Sequence, residues 1–382
     1  MKKLLTILLI VAVLISCAPV QPQTQPTKTE TPSEPAEAKT DFVVGLSGPL
    51  TGGAATIGVP VKEAAELAVE EINANDILTG RKMTLLIGDD ACDPKTTTTL
   101  MQKYTEVDKV TAIAGPFCSG TVLAAAPILE QNKVLAIAPG ATNPKIKDAG
   151  DYIFRVVPPD SNQGAEGAKL VEKLGAKKVG VLYINNDYGV GLKNAFLENV
   201  QKSGLNTQSE AFETGATDMK TQITKLSSFK PDVIYLVTLP AEGIIALKQL
   251  AEAGLKVPVL SGDGAKDDAL VAGAKEAAEG LILTAPAVPK TPELDSFAEK
   301  FKAKYGKEYS IYTPEMYDVV NILAKACANT DCTSTAMKDY LYTMGEYKGA
   351  SGSFTFDKNG EVEKSYDYFQ VKDGKFVAYE VS

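Results

Sequence analysis

From Asp41 onward, short β-branched runs alternate with stretches of helical periodicity, and that alternation points to parallel sheets with crossover helices. Phe42 to Leu46 reads as the first strand. After a glycine-rich turn, Ala65, Ala68, Val69 and Ile72 fall at helical spacing, with Glu63, Glu66, Glu70 and Glu71 largely on the other face, so this helix packs on the sheet. Strands at Met83 to Ile87, Thr111 to Ala114 and Val134 to Ile137, with helices near Pro94 to Val107 and Gly120 to Gln131, complete a first lobe. Tyr152 to Val157 then runs into Pro158-Pro159, a rigid extended pair suited to a crossing between domains.

A second series repeats this architecture. Its strands are expected at Val179 to Ile184, Val233 to Val237 and Val257 to Leu260, with helices near Gln163 to Leu174, Val190 to Lys202, Met219 to Phe229 and Glu242 to Ala253. Leu281 to Thr284 leads into the proline-marked segment Ala285 to Pro289, a second crossing, and Thr291-Pro292-Glu293 reads as an N-cap with proline at the first helical position. Helices near Leu294 to Tyr305 and Pro314 to Ala326 return to the first lobe. In the tail, strands near Ser353 to Phe356, Tyr366 to Val371 and Phe376 to Tyr379 are set off by two hairpin signals, Asp357-Lys358-Asn359-Gly360 and Lys372-Asp373-Gly374-Lys375. The fold class is therefore α/β, a two-lobed clamshell of mostly parallel sheets joined by hinge strands. The expected division is residues 41-158 plus 286-362 for the N-terminal lobe and 159-285 plus 363-382 for the C-terminal lobe. Such a length exceeds what one hydrophobic core normally serves.

The amino terminus sets the expected compartment. Lys2 and Lys3 precede an apolar run, Leu4 to Ile15, too short to span a bilayer as a stable helix, so residues 1-16 read as a signal peptide. Leu14-Ile15-Ser16-Cys17 resembles a lipoprotein processing box, which implies lipidation at Cys17 and a location outside the cytoplasmic membrane. Residues 17-40 carry prolines with Gln, Thr, Ser and Glu and almost nothing large and apolar, the composition of a disordered tether. Removing the signal peptide takes two lysines and moves the formal charge from -9 to -11, which argues against nucleic acid and anionic lipid as partners. The chain has no histidine, which removes the usual catalytic base and the commonest metal ligand. No cofactor and no metal are expected, and no enzymatic activity. Gly45-Leu46-Ser47-Gly48 resembles a nucleophile elbow only superficially, because Pro49 stands where the elbow needs glycine.

With Cys17 assigned to lipid, Cys92, Cys118, Cys327 and Cys332 form an even set in an oxidising location. Cys327 and Cys332 can staple one loop, and Cys92 and Cys118 each follow a strand of the same lobe, so we pair them that way, free buried thiols being the alternative. Neither pair has the short spacing of a zinc site.

Six motifs in order, Ser47-Gly48-Pro49, Asp89-Asp90-Ala91-Cys92-Asp93-Pro94, Cys118-Ser119, Pro139-Gly140-Ala141-Thr142-Asn143-Pro144, Asp160-Ser161-Asn162-Gln163-Gly164 and Asp187-Tyr188-Gly189, give the chain after Thr40 its resemblance. It resembles the periplasmic leucine/isoleucine/valine-binding family of ABC importers. The resemblance implies a type I clamshell, a disulfide between Cys92 and Cys118, a monomer, and delivery of an amino acid to ABC permease subunits in the membrane. It also implies that Ser119 and Thr142, with backbone groups around Gly140 and Ala141, hold the carboxylate and ammonium of the ligand. Asp263 matches a family glutamate that pairs with that ammonium, while Tyr188 approaches from the second lobe and Tyr312 lies near an aromatic that touches the ligand side chain. Two departures alter the side-chain pocket. The loop Leu50 to Gly58 is longer and carries Ile57 in place of an aromatic, and Leu239 stands near another aromatic position. An aliphatic amino acid is expected, with amide or urea ligands, or a sensing role, as the alternatives.

Overall fold

A computed structural model describes residues 40–380; the signal-peptide, lipidation and tether readings on Met1 to Lys39 lie outside the described residues. The first lobe runs β1 (Phe42–Gly48), α1 (Ala55–Ala74), β2 (Met83–Asp89), α2 (Pro94–Gln102), β3 (Ala112–Ala114), α3 (Ser119–Asn132), β4 (Leu135–Ala138) and β5 (Ile153–Arg155). Its five strands pair in parallel in the order β2-β1-β3-β4-β5. The strands read as near-continuous apolar runs because helices cover both faces of the sheet. After α2 the chain makes a wider helical turn, Lys103–Val107, which carries Tyr104 under the sheet. The Tyr104 hydroxyl donates to the carbonyls of Leu46 at 2.9 Å and Leu86 at 2.6 Å. Glycine is required opposite it: a Cβ on Gly45 or Gly88 would lie within 2.7 Å of the Tyr104 ring or hydroxyl.

The second lobe runs α4 (Asp160–Lys173), β6 (Lys178–Ile184), α5 (Asp187–Lys202), β7 (Asn206–Phe212), α6 (Lys220–Phe229), β8 (Val233–Val237), α7 (Pro240–Glu252), β9 (Val259–Ser261), α8 (Asp268–Ala274) and β10 (Ile282–Pro286). The chain continues through α9 (Pro292–Tyr305), α10 (Thr313–Ala328), α11 (Ser334–Thr343), β11 (Tyr347–Gly349), β12 (Gly352–Phe354), β13 (Tyr366–Lys372) and β14 (Lys375–Ala378). The second sheet has the order β14-β13-β10-β9-β8-β6-β7, so its parallel part repeats the strand order of the first, extended by an antiparallel hairpin. The apolar faces of α9, α10 and α11 join the core of the first lobe, where Phe297, Phe301, Val320 and Met337 are buried with Phe42 and Ile57. The chain therefore passes between lobes three times: after β5, after β10, and between β12 and β13.

Among the elements that escape the sequence reading, β7, α8 and α11 show why. β7 is a polar edge strand, Asn-Thr-Gln-Ser-Glu-Ala-Phe, formed by parallel pairing with β6 and not by an apolar pattern of its own. α8 has only seven residues, and α11 is started by Thr333, whose side chain accepts from Ala336 N. One reading is corrected. Asp357 to Gly360 is a turn, with Gly360 N donating to Asp357 O at 3.0 Å, but it joins no hairpin. β12 pairs backward with β11, while β13 pairs with β10. The tight turn between β11 and β12, Ala350 and Ser351, is fixed by the buried Asp318 carboxylate, which accepts from both their backbone N–H groups.

Both disulfides form, Cys92 to Cys118 and Cys327 to Cys332. The first ties the turn after β2 to the residue before α3, spanning 26 residues of sequence. Closing a loop of that length restricts the unfolded chain by about 3 kcal/mol. The double variant Cys92→Ala/Cys118→Ala is expected to lose stability of that order on urea denaturation, and a loss under about 1 kcal/mol would show that the staple constrains little.

Candidate functional site

In each sheet the strand order reverses beside the first strand, so the loops after neighbouring strands diverge and leave a crevice at their carboxyl ends. The two crevices face each other. Between them lies a cavity of about 370 Å³ lined from the first lobe by Ile57, Cys92, Phe117, Ser119, Gly140 and Tyr312. The second lobe contributes Asn186, Tyr188, Leu239, Asp263 and Gly264.

Ser119 is the first residue of α3, with Cys118 in the capping position. Its hydroxyl does not cap the helix; it accepts from Asn143 N at 3.2 Å, which joins α3 to the loop after β4. The free backbone N–H groups of a fourteen-residue helix still favour an anion at this end. Ala141 and Thr142 are fully buried behind Gly140 and do not line the cavity. The Ala141 carbonyl is taken by the Arg155 guanidinium at 3.3 Å, whereas the Thr142 hydroxyl lies beside the Asp160 carboxyl.

Asp263 sits on a 3-10 turn, Asp263–Ala265, directly after β9 and is 1% exposed. Tyr188, at the start of α5, donates to its Oδ1 at 2.8 Å, and Gly264 N donates to the same oxygen at 3.0 Å. Tyr312 donates to Oδ2 from the opposite lobe. Tyr312 can reach because it adopts a left-handed conformation, φ 68, just before α10, and its ring stands edge-on to Phe117 at 5.3 Å. Burial pushes the Asp263 carboxyl above its ordinary range, and the two tyrosine hydroxyls pull it partly back.

Asp160, which belongs to one of the six motifs but is not among the expected site residues, opens α4 and is fully buried with the Thr142 hydroxyl beside its carboxyl. Burial first, and then the charge of Asp263, push its carboxyl well above the ordinary range. An acid at the first position of a helix after Pro-Pro reads as a solvent-facing cap. Only the approach of the two lobes reveals that it is buried. Arg155 is buried nearby and ion-paired with Glu361, so it offsets part of that charge.

Both lobes are latched along the cleft. Asn143 Nδ2 donates to Asp187 O at 2.5 Å, and Thr56 Oγ1 donates to Asp267 Oδ2 at 2.6 Å. Ser47 lies outside the cavity, fully buried, and donates to Asp90 Oδ2 at 2.6 Å, which leaves it no nucleophilic role. Among the described residues, no group of His, Cys, Asp and Glu is placed to hold a metal ion, and no helix is long and apolar enough to cross a membrane.

Two α/β lobes enclosing a cavity, with a helix N-terminus on one wall and a buried carboxylate on the other, define a protein that binds a small solute between its lobes. Comparison with known proteins agrees. The model of the periplasmic binding protein family matches residues 42–375. A Leu/Ile/Val-binding protein homologue of Brucella abortus is 32% identical over 349 residues, covering 88% of this chain and 92% of its own. The leucine-binding protein LivK of Thermotoga maritima is 30% identical with a TM-score of 0.84, covering 89% of this chain and 98% of its own. The branched-chain amino acid substrate-binding protein LivJ of Streptococcus pneumoniae, solved with isoleucine, is 26% identical with a TM-score of 0.81, covering 88% and 98%. The chain belongs to the periplasmic binding protein family, as an extracytoplasmic solute-binding protein of type I fold and not an enzyme.

Proposed function

We propose that the cavity between the lobes takes one aliphatic α-amino acid and that the closed form presents it to the permease of an ABC importer. The observation that carries this reading is the opposition of Ser119 at the α3 N-terminus to the Asp263 carboxylate across a cavity of about 370 Å³. A volume of that size falls within the ~300–1,000 Å³ range of small-molecule sites. The ligand carboxylate sits at the helix end with Ser119 and backbone groups around Gly140, where the dipole favours it. Its ammonium meets Asp263, and Thr142 contributes its hydroxyl after a small shift of the Gly140–Thr142 loop. Ile57, Pro94 and Leu239 supply apolar wall for the side chain.

Because the contacts come from both lobes, ligand binds the closed arrangement better than an open one and shifts the population toward it. The three crossings act as the hinge in this proposal. Lipid at Cys17 and the polar segment after it hold the clamshell close to its permease. Calorimetric titration with L-leucine, L-isoleucine and L-valine is expected to give saturable binding at one site per chain. Binding of none of the three would reject an aliphatic amino acid as the solute. Selectivity among the three is expected to be shallow, because one methylene in an apolar pocket is worth only about 1–3 kcal/mol.

A further inference from the structure

A second cavity, about 840 Å³, lies on the other side of Tyr312, which lines both. Its walls come from the start of α1 and the start of α10 in the first lobe, from Lys266 to Ala269 and Phe376 in the second, and from the crossing Ala285 to Pro289. The same 3-10 turn serves both spaces. Asp263 opens the turn toward the first cavity, and Lys266 follows it into the second.

Most charged groups around this space are already engaged. Lys307 pairs with Glu63 at 2.7 Å, Glu308 pairs with Lys302 at 2.5 Å, and Asp267 accepts from Thr56 Oγ1 and Ala269 N. Asp268 is exposed. Two opposite charges, Lys266 and Glu315, form no salt bridge among the described residues. Lys266 Nζ lies 4.5 Å from the centre of the Phe369 ring and 5.7 Å from that of Phe376, and forms no salt bridge among the described residues. Glu315 is 8% exposed, lines the cavity, and has no hydrogen-bond relation beyond its own backbone N–H among the described residues. The counter-charge nearest Glu315, Lys364, donates to Ser351 Oγ at 2.9 Å and is shared with the buried Asp318, so one cation faces two acids. Ser310 Oγ is a third polar group without a partner at the same wall.

The buried Glu315 and Asp318 share one cation, Lys364, which leaves a negative charge over, while the half-buried Lys266 has only the exposed Asp268 and the Glu315 it does not reach opposite it, so each end favours an added opposite charge. Burial accordingly lowers the Lys266 ammonium and raises the Glu315 carboxyl from their ordinary ranges. Lys266 and Glu315 do not reach each other, so a molecule carrying both charges can satisfy them at once. Val59, Leu294, Val288 and Phe376 line the same cavity and suit an apolar body between the charged ends.

The geometry points to a second binding site in this cavity for a small zwitterion, its carboxylate on Lys266 and Ser310 and its ammonium on Glu315. The site is separate from the one proposed above. Since its walls also belong to both lobes, its occupant stabilises the closed form and raises affinity at the first site, and the reverse holds equally.

The test uses ω-amino acids, γ-aminobutyrate and 5-aminovalerate, whose separated charges suit two groups that do not touch and which lack the α-ammonium placed for Asp263. Titration by calorimetry is expected to show saturable binding in the millimolar range or tighter, weakened at least about tenfold by Lys266→Met and by Glu315→Gln, and retained in Ser119→Ala. The two second-cavity variants are checked for native circular dichroism, and if one fails to fold the other decides. No saturable binding of either probe, binding that Lys266→Met and Glu315→Gln leave unchanged, or binding that Ser119→Ala removes would each overturn the proposal. Leucine titration of the same proteins, at concentrations too low to fill the second cavity, is expected to weaken in Ser119→Ala and to stay unchanged in Lys266→Met and Glu315→Gln, so failure at one site is distinguishable from failure at the other.

Discussion

Asp263→Ala is expected to weaken binding of an aliphatic amino acid by roughly 100-fold or more, because it leaves the ligand ammonium buried without its counter-charge. Breaking a buried ion pair on one side costs about 3–5 kcal/mol. Tyr188 and Tyr312 make the loss larger than that of a lone carboxylate: both hydroxyls now point at Asp263, and both lose their acceptor. Tyr312 also belongs to the other lobe, so the variant removes a contact that holds the cleft shut.

Removing only the charge of Asp263 has the opposite effect on the ligand-free protein. Asp263 and Asp160 are two buried carboxylates whose charges oppose each other, and in the absence of an ammonium that repulsion destabilises the closed arrangement. Asp263→Asn keeps the shape and one acceptor while removing the charge. It is therefore expected to melt at the same temperature as the unmodified protein or higher, yet to bind at least tenfold more weakly. Calorimetry and thermal melting of the two variants check both halves, and near-unchanged leucine affinity in Asp263→Ala would remove Asp263 from the site.

The sheets were legible because buried parallel strands must be apolar runs and their crossover helices must be amphipathic, and β1, β6 and β8 obey both requirements. β7 was not, because an edge strand paired on one side needs little apolar surface, and its residues are largely half-buried or exposed. Asp357 to Gly360 shows a second limit. The turn chemistry is local and was read correctly, but which strands a turn connects depends on partners far along the chain. In the site, Ser119, Tyr188 and Asp263 stood at strand-to-helix junctions that a reader can locate. Asp160 and Glu315 begin helices as well, where an acid is the ordinary choice at a solvent-facing end. Their burial arises from lobe packing, and nothing in the local sequence records it.

The buried carboxylates also fix how binding depends on pH. A carboxyl whose folded pKa is raised holds more protons in the folded chain than in the unfolded one. Ligand-free stability is therefore expected to fall as pH climbs from the ordinary carboxylate range toward the folded values of Asp160 and Asp263. Asp90, pushed up to about 6 by burial against the pull of the Ser47 hydroxyl, adds to the same fall. Ligand reverses the sign at the first site. An ammonium beside Asp263 favours its ionised form, so binding at low pH must expel a proton from the Asp160–Asp263 pair, and affinity rises with pH by up to about tenfold per unit for one proton. Calorimetric titrations over a series of pH values, in buffers of different ionisation enthalpy, would register that proton as a buffer-dependent heat that fades once the pair is already ionised without ligand. In Asp160→Asn the neighbouring charge is gone, Asp263 ionises more readily, and the rise moves to lower pH. Affinity that stays flat with pH, together with heats that do not depend on the buffer, would show that the ammonium does not meet an acid that holds a proton, and the assignment of Asp263 as its partner would fall with it.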